Sequence, residues 1–392
     1  MTPAPNIGDK YRSSRPSIDL IFFDAGGGHR AAANALNSVL KQQGKDWDVR
    51  LVNLQELLDP LDVFRKITGI RLQDLYNRML NKGWTLGSAQ LLRGVQMVIR
   101  LNHGPAVRLL ARHWEQTRPD MLVSLVPNLN RVMYDAFSKA RPNAPYVSIL
   151  TDFADYPPHF WIERDQRQYF ICGTDRAVAQ AGELGHPRER IFRASGMIMR
   201  PTFHEPVELD RAAERKRLGL DPDRPAAIVM FGGQGSRVMI DIAARLGRSG
   251  LPLQLIMICG RNEALASRLR AMRLAVPMHV EGFTQEIPYF MSLADFFIGK
   301  PGPGSISEAI AMRLPVIVER NSWTLPQERY NAEWVLENRV GFVVGNFREV
   351  VDAERPLLEP DTLAAYRANA AAIRNRAVFE IPDILERLLT IT

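Results

Sequence analysis

The sequence predicts an α/β protein made of two doubly wound, Rossmann-like domains facing each other across a cleft. Three observations predict it. Short, continuous apolar runs such as Leu20 to Phe23 and Phe296 to Ile298 alternate with helical stretches, the pattern of strands covered on both faces of a parallel sheet. The series starts again after a polar, proline-containing junction at 201–223. The chain has 392 residues, 46% of them hydrophobic, which is more than one ordinary core accommodates.

In the first half, a strand is expected from residue 17 to 25, broken at Gly26-Gly27-Gly28 and followed by an Ala-rich helix from about residue 30 to 43. Further strands are expected at 49–54, 121–126, 146–150, 169–172 and 191–194. The second half repeats the pattern at 226–231, 253–259, 278–280, 296–298, 316–318 and 342–344, and two helices close the chain after Pro360. The expected organisation is a disordered N-terminus at 1–16, a first domain at 17–204, a second at 205–358 and closing helices at 359–392. Ligands of such sheets bind beyond the carboxyl ends of the strands, so both domains direct their sites into the shared cleft.

Composition excludes several classes. Cys172 and Cys259 lie in apolar runs, with neither disulfide nor metal-site spacing. Residues 1–16 lack the apolar segment of a secretory leader, and no run of eighteen apolar residues spans a membrane. The net charge of +7 is concentrated. Residues 60–112 hold nine basic residues against Asp62 and Asp74, a local excess equal to that of the whole chain. Apolar residues recur among those cations at helical spacing, with Tyr76 and Trp84 between them. Two readings follow: a basic amphipathic insertion that docks on an anionic membrane surface, or ordinary packing helices with a solvated basic face.

Three glycine turns end apolar strands. Gly26-Gly27-Gly28-His29 brings a backbone nest and an imidazole to the mouth of the first sheet. Gly232-Gly233-Gln234-Gly235-Ser236 and the turn from Gly302 through Pro303, Gly304 and Ser305 to Glu308 both belong to the second domain. Two helix N-termini there can cradle a diphosphate, and Glu308, one turn into a helix opening on Ser305, suits the two hydroxyls of a ribose. The plain alternative is a pair of ordinary βα turns with a solvated Glu. His29 is a candidate general base, and the alternative is a helix-capping ring. His159, after Asp152 and Asp155 in a loop beyond a strand, lines the same cleft; an Asp-x-x-Asp metal site with a distant His is the less favoured reading. Gln327 and Glu328, just past a strand end, match a sugar's hydroxyls or start a solvated helix.

Together these residues resemble the GT-B glycosyltransferases of the group that includes monogalactosyldiacylglycerol synthase, processive diacylglycerol glucosyltransferase and the N-acetylglucosaminyltransferase of lipid II synthesis. The resemblance runs from about Ser17 to Phe347. It implies that His29 stands on the acceptor side, that Gly232 to Ser236 hold phosphate, and that Glu308 holds ribose. By the same likeness Phe283, Thr284 and Ile287 form the uracil loop, Gln327 and Glu328 contact the donor sugar, and Thr151-Asp152 match the Thr-Asp of the galactolipid and glucolipid enzymes. The stretch from Tyr76 to Gly87 lies where those enzymes carry their lipid-facing insertion. Val126-Pro127-Asn128 departs from the His-Pro of plant-type galactolipid synthases.

The expectation is a cytoplasmic enzyme, peripheral to the inner face of the membrane, that moves a hexose from a UDP-sugar to a lipid such as diacylglycerol. The resemblance implies inversion. His29 and Asp152 are the candidate catalytic residues; no metal or cofactor is required, and no nucleic acid is expected as partner. The alternatives are a UDP-GlcNAc-dependent transferase or UDP-sugar epimerase of the same fold, and a non-catalytic nucleotide-sugar or RNA-binding protein.

Overall fold

The structure, a computed structural model, describes residues 15–24, 27–61 and 88–391. The first sheet comprises β1 (Ser17–Phe22), β2 (Asp48–Asn53), β3 (Met121–Ser124), β4 (Tyr146–Ile149), β5 (Tyr169–Cys172) and β6 (Ile191–Arg193). Its order is β2-β1-β3-β4-β5-β6, and every pairing is parallel. Helix α1 (Gly28–Gln42) follows β1, while α2 (Ser88–Leu101) and α3 (His103–Thr117) precede β3. Helices α4 (Asn130–Ala140) and α5 (Asp175–Glu183) complete the layers. β3 and β4 are fully buried runs, the pattern that continuous apolar sequence dictates when helices cover both faces.

The second sheet is again all parallel, ordered β12-β11-β10-β7-β8-β9. Its strands are β7 (Ala226–Met230), β8 (Gln254–Ile258), β9 (Met278–Glu281), β10 (Phe296–Gly299), β11 (Val316–Glu319) and β12 (Gly341–Val344). The helices that matter for the site are α6 (Val238–Arg248) after β7, α7 (Glu263–Arg270) after β8, α8 (Pro303–Ala311) after β10 and α9 (Arg329–Glu337) after β11. Every expected strand is present, shifted by a few residues at its ends.

One difference from the sequence reading concerns a helix end. α8 opens on Pro303 rather than Ser305, with Gly302 as its N-cap. Proline tolerates the first helical position because its missing N–H would have no partner there and its φ is already helical. The closing helices also separate. α10 (Pro360–Ala372) packs on α8, whereas α11 (Ala377–Thr390) returns to the first domain, burying Ala377, Ile381, Leu385 and Leu388 among β1, β3 and β4. Most of the basic insertion, including Tyr76 and Trp84, lies outside the described residues, as does the N-terminal segment 1–14.

Candidate active site

The carboxyl ends of β7, β8, β10 and β11 carry the turns of the second domain. Gly232 (φ 74°) and Gly235 (φ 60°) both use left-handed backbone in the turn between β7 and α6. That turn rests on the end of β8: Arg261 N–H donates to Gly233 O at 2.9 Å, and Asn262 Nδ2 donates to Gln234 O at 3.2 Å. A Cβ on Gly260 would come within 2.3 Å of Gly233 O, so only glycine lets the two backbones approach this closely. The segment Gly260 to Asn262 carries no motif of its own and was missed by sequence reasoning. Its signal was the same strand-then-glycine punctuation.

At the second turn, Pro303 has no N–H, and those of Gly304 and Ser305 lie in the first turn of α8, where no intrahelical acceptor exists. These donors and the helix dipole face the cleft end of the sheet. Asn331 Nδ2 donates to Pro301 O at 2.8 Å and fixes the turn from below. Glu308 is half-buried, and burial pushes its carboxyl up to about 7, opposed by the positive charge of Arg200. Arg200 in turn donates to Gln285 O at 3.0 Å, joining Glu308 to the Phe283-Thr284 loop. Phe283 is 54% exposed, with the Arg261 guanidinium 4.6 Å above its ring. Thr284 Oγ1 accepts from Glu286 N–H, and Ile287 begins the next helix against the core. Glu328 is buried and paired with Lys300 Nζ at 2.8 Å, while Gln327 beside it is half-buried. Arg200 and Arg261 were not singled out as site residues from the sequence.

Across the cleft, Gly27 (φ 81°) caps α1, and Gly28 and His29 form its first turn. His29 Nδ1 lies 3.1 Å from Thr151 Oγ1, and the ring also bonds the backbone of Leu125. Crowding by protein atoms lowers its pKa to about 4, although the side chain keeps some access to solvent. The imidazole is therefore neutral at physiological pH, as a proton acceptor must be. Asp152 is buried, with its carboxyl accepting from Trp161 Nε1 at 2.9 Å. Burial raises it to about 7; the Trp161 bond opposes this, the charge of Glu328 adds to it and that of Lys300 subtracts. The acceptor-side carboxyl thus feels the donor-side ion pair of the other domain.

His159 and Asp155 belong to the loop beyond β4. His159 is exposed, on left-handed backbone (φ 64°), in the loop that follows Asp152 and Asp155. Asp155 accepts from the backbone N–H of His159 at 3.0 Å and of Trp161 at 2.6 Å, which folds the loop and sets the indole over Asp152. Gly26, Tyr76 and Trp84 lie outside the described residues.

Residues 227–341 match the glycosyltransferase family 28 C-terminal domain. The chain is 28% identical to the monogalactosyldiacylglycerol synthase of Spinacia oleracea over 388 residues, covering 94% of this chain and 72% of the relative. It is also 28% identical to probable monogalactosyldiacylglycerol synthase 2 of Oryza sativa subsp. indica, over 95% of this chain and 80% of the relative. Among solved structures, MurG of Acinetobacter baumannii superimposes with a TM-score of 0.59 at 13% identity, covering 95% of this chain and 100% of that one. S. aureus MnaA, solved with UDP, superimposes with a TM-score of 0.59 at 14% identity, covering 96% and 98%.

Proposed function

We propose that this chain, a GT-B hexosyltransferase resembling the monogalactosyldiacylglycerol synthases, transfers a hexose from a UDP-sugar to the free hydroxyl of diacylglycerol at a membrane surface. Likeness to the named synthases favours galactose. The observation that carries the reading is a neutral imidazole, His29, on one rim of a cleft whose other rim is a set of N–H-lined turns with a ribose-suited carboxyl, Glu308.

The second domain would hold the UDP moiety, with N–H groups of Gly233 to Ser236 and of Gly304 and Ser305 around the diphosphate. These donors stabilise the charge that builds on the leaving diphosphate, and in such sites one donor is worth about 10²–10³ in rate. No metal is required in this scheme, because fixed backbone dipoles take that part. His29 accepts the proton of the lipid hydroxyl as its oxygen attacks the anomeric carbon from the side opposite the diphosphate, which inverts that centre. Thr151 orients the ring, and Asp152 supplies a second polar contact to the acceptor. Gln327 and the Lys300–Glu328 pair face the sugar.

Docking on a membrane is supported by the charge of the 60–112 segment and by α2, where Met97, Val98 and Leu101 are exposed beside Arg100. Each well-placed cation contributes about 1 kcal/mol on an anionic surface. Among the described residues, no helix is long and apolar enough to cross a membrane. The reading places the enzyme on the inner, cytoplasmic face, where UDP-sugars are at hand.

UDP release measured across a matrix of UDP-sugars and acceptors tests the proposal. The expected result is turnover that requires diacylglycerol, falling about 10²–10⁴-fold in His29→Ala with UDP affinity retained. Full turnover by His29→Ala removes the base, and turnover on soluble acceptors alone removes the lipid.

A further inference from the structure

Phe153 belongs to the first domain by sequence and to the second by packing. It follows Asp152 just beyond β4, yet its ring is 98% buried in the core cluster that contains Ile306, Ile310 and Val335. Its centroid lies 4.7 Å from that of Trp334 on α9, with the planes inclined at 56°. Six positions before Trp334, at the entrance to the same helix, stands Glu328 in its pair with Lys300. Two short segments therefore meet across the cleft. One carries Asp152 and then Phe153; the other carries Glu328 and then Trp334.

The contact lies beside open space. A cavity of about 320 Å³ borders it, lined by Phe153, Trp334, Ser307 and the two chain crossings at 195–197 and 373–375. Those crossings are tied to each other, by Asn375 Nδ2 to Met197 O at 2.9 Å and by Arg376 N–H to Ser195 Oγ at 2.6 Å. The two domains therefore meet in two ways here, through the packed rings of Phe153 and Trp334 and through the hydrogen-bonded crossings.

We infer that Trp334 is a positioning residue whose grip on Phe153 sets Asp152 opposite the Lys300–Glu328 pair, so that the acceptor-side and donor-side groups come into register only when the domains are docked. The catalytic consequence rests on the transferase reading above. The coupling between domains does not.

Hydrogen exchange of the full-length protein, with and without UDP, tests the coupling through Trp334→Ala and Trp334→Phe. In the parent protein, UDP is expected to slow exchange in the donor turns at 232–236 and 302–308 and also in the first-domain segment 150–162. Trp334→Ala keeps the former and loses the latter, and Trp334→Phe restores it. Transfer assays on the same proteins are expected to show kcat lowered about tenfold or more in Trp334→Ala, with donor KM changed less than about twofold, and rescue by Trp334→Phe. Retained protection at 150–162 in Trp334→Ala overturns the inference, as does a donor KM that rises in step with the loss of kcat. Should Trp334→Ala not fold, Phe153→Leu makes the same comparison from the other domain. If the parent transfers nothing to diacylglycerol, the lipid reading fails while the exchange experiment still decides the coupling.

Discussion

At Glu308 the carboxyl sits near pH 7 for want of solvent, and a bound ribose would supply two hydroxyl donors that favour its ionised form. The free protein then holds a proton that the complex gives up, so UDP-sugar affinity should strengthen as pH rises toward about 7 and level off above it. The slope is at most about tenfold per pH unit for one proton. Calorimetric titration from pH 5.5 to 8.5 checks this, and Glu308→Gln should flatten the profile. Glu354 offers a second pH test, remote from the site. It is fully buried, neither carboxyl oxygen has a partner among the described residues, and burial alone pushes it up to about 8. The fold retains the proton that the unfolded chain loses at its ordinary, lower pKa. Stability from this residue is therefore complete in acid and declines as pH rises through the window up to about 8. Glu354→Gln should melt at a higher temperature than the parent at pH 8.5 and by a smaller margin at pH 5.5. Equal melting shifts at both pH values would contradict the assignment.

Elements were more legible than contacts. Continuous apolar runs such as 121–124 and 296–299 read as buried parallel strands because they are short and are bounded by turn residues. Glycine after a strand marks the turns, since a close backbone approach excludes a side chain. The start of α8 was misplaced because Ser305 looks like a helix cap, while Pro303 already satisfies the first position. The Lys300–Glu328 pair spans 28 residues of sequence, and the Asp152–Trp161 bond depends on how Asp155 folds the loop. Neither leaves a periodic trace. The buttress formed by the end of β8 makes a prediction at this scale. Gly260→Ala places a Cβ against Gly233 O at a residue with φ 58°, so the turn at 232–236 must shift. UDP affinity is expected to fall about tenfold or more, alongside about 1–3 kcal/mol of stability. A variant of unchanged UDP affinity by calorimetry would show that the turn does not hold the diphosphate.

For the whole molecule, the two-domain plan was readable because the strand series restarts after residue 223, and the return of α11 to the first domain was not. An amphipathic helix at the end of a chain shows that it buries a face without showing against which domain. That return brings the second crossing beside the first, where Asn375 Nδ2 donates to Met197 O. The proposed membrane docking also belongs to this scale, because it sums charges spread over some fifty residues. Flotation with anionic vesicles should recover the protein at low salt and lose most of it at 0.5 M NaCl, where the screening length is below about 5 Å. Binding to neutral vesicles of equal strength would assign the attachment to apolar residues alone.

In the proposed reaction, a donor gripped by the second domain meets a lipid hydroxyl presented by the first. Mass spectrometry of the lipid fraction after incubation with UDP-galactose and diacylglycerol vesicles tests this most directly. The expected product is a monohexosyl diacylglycerol whose formation matches UDP release mole for mole. UDP release that proceeds equally without diacylglycerol, with only free sugar recovered, would contradict it.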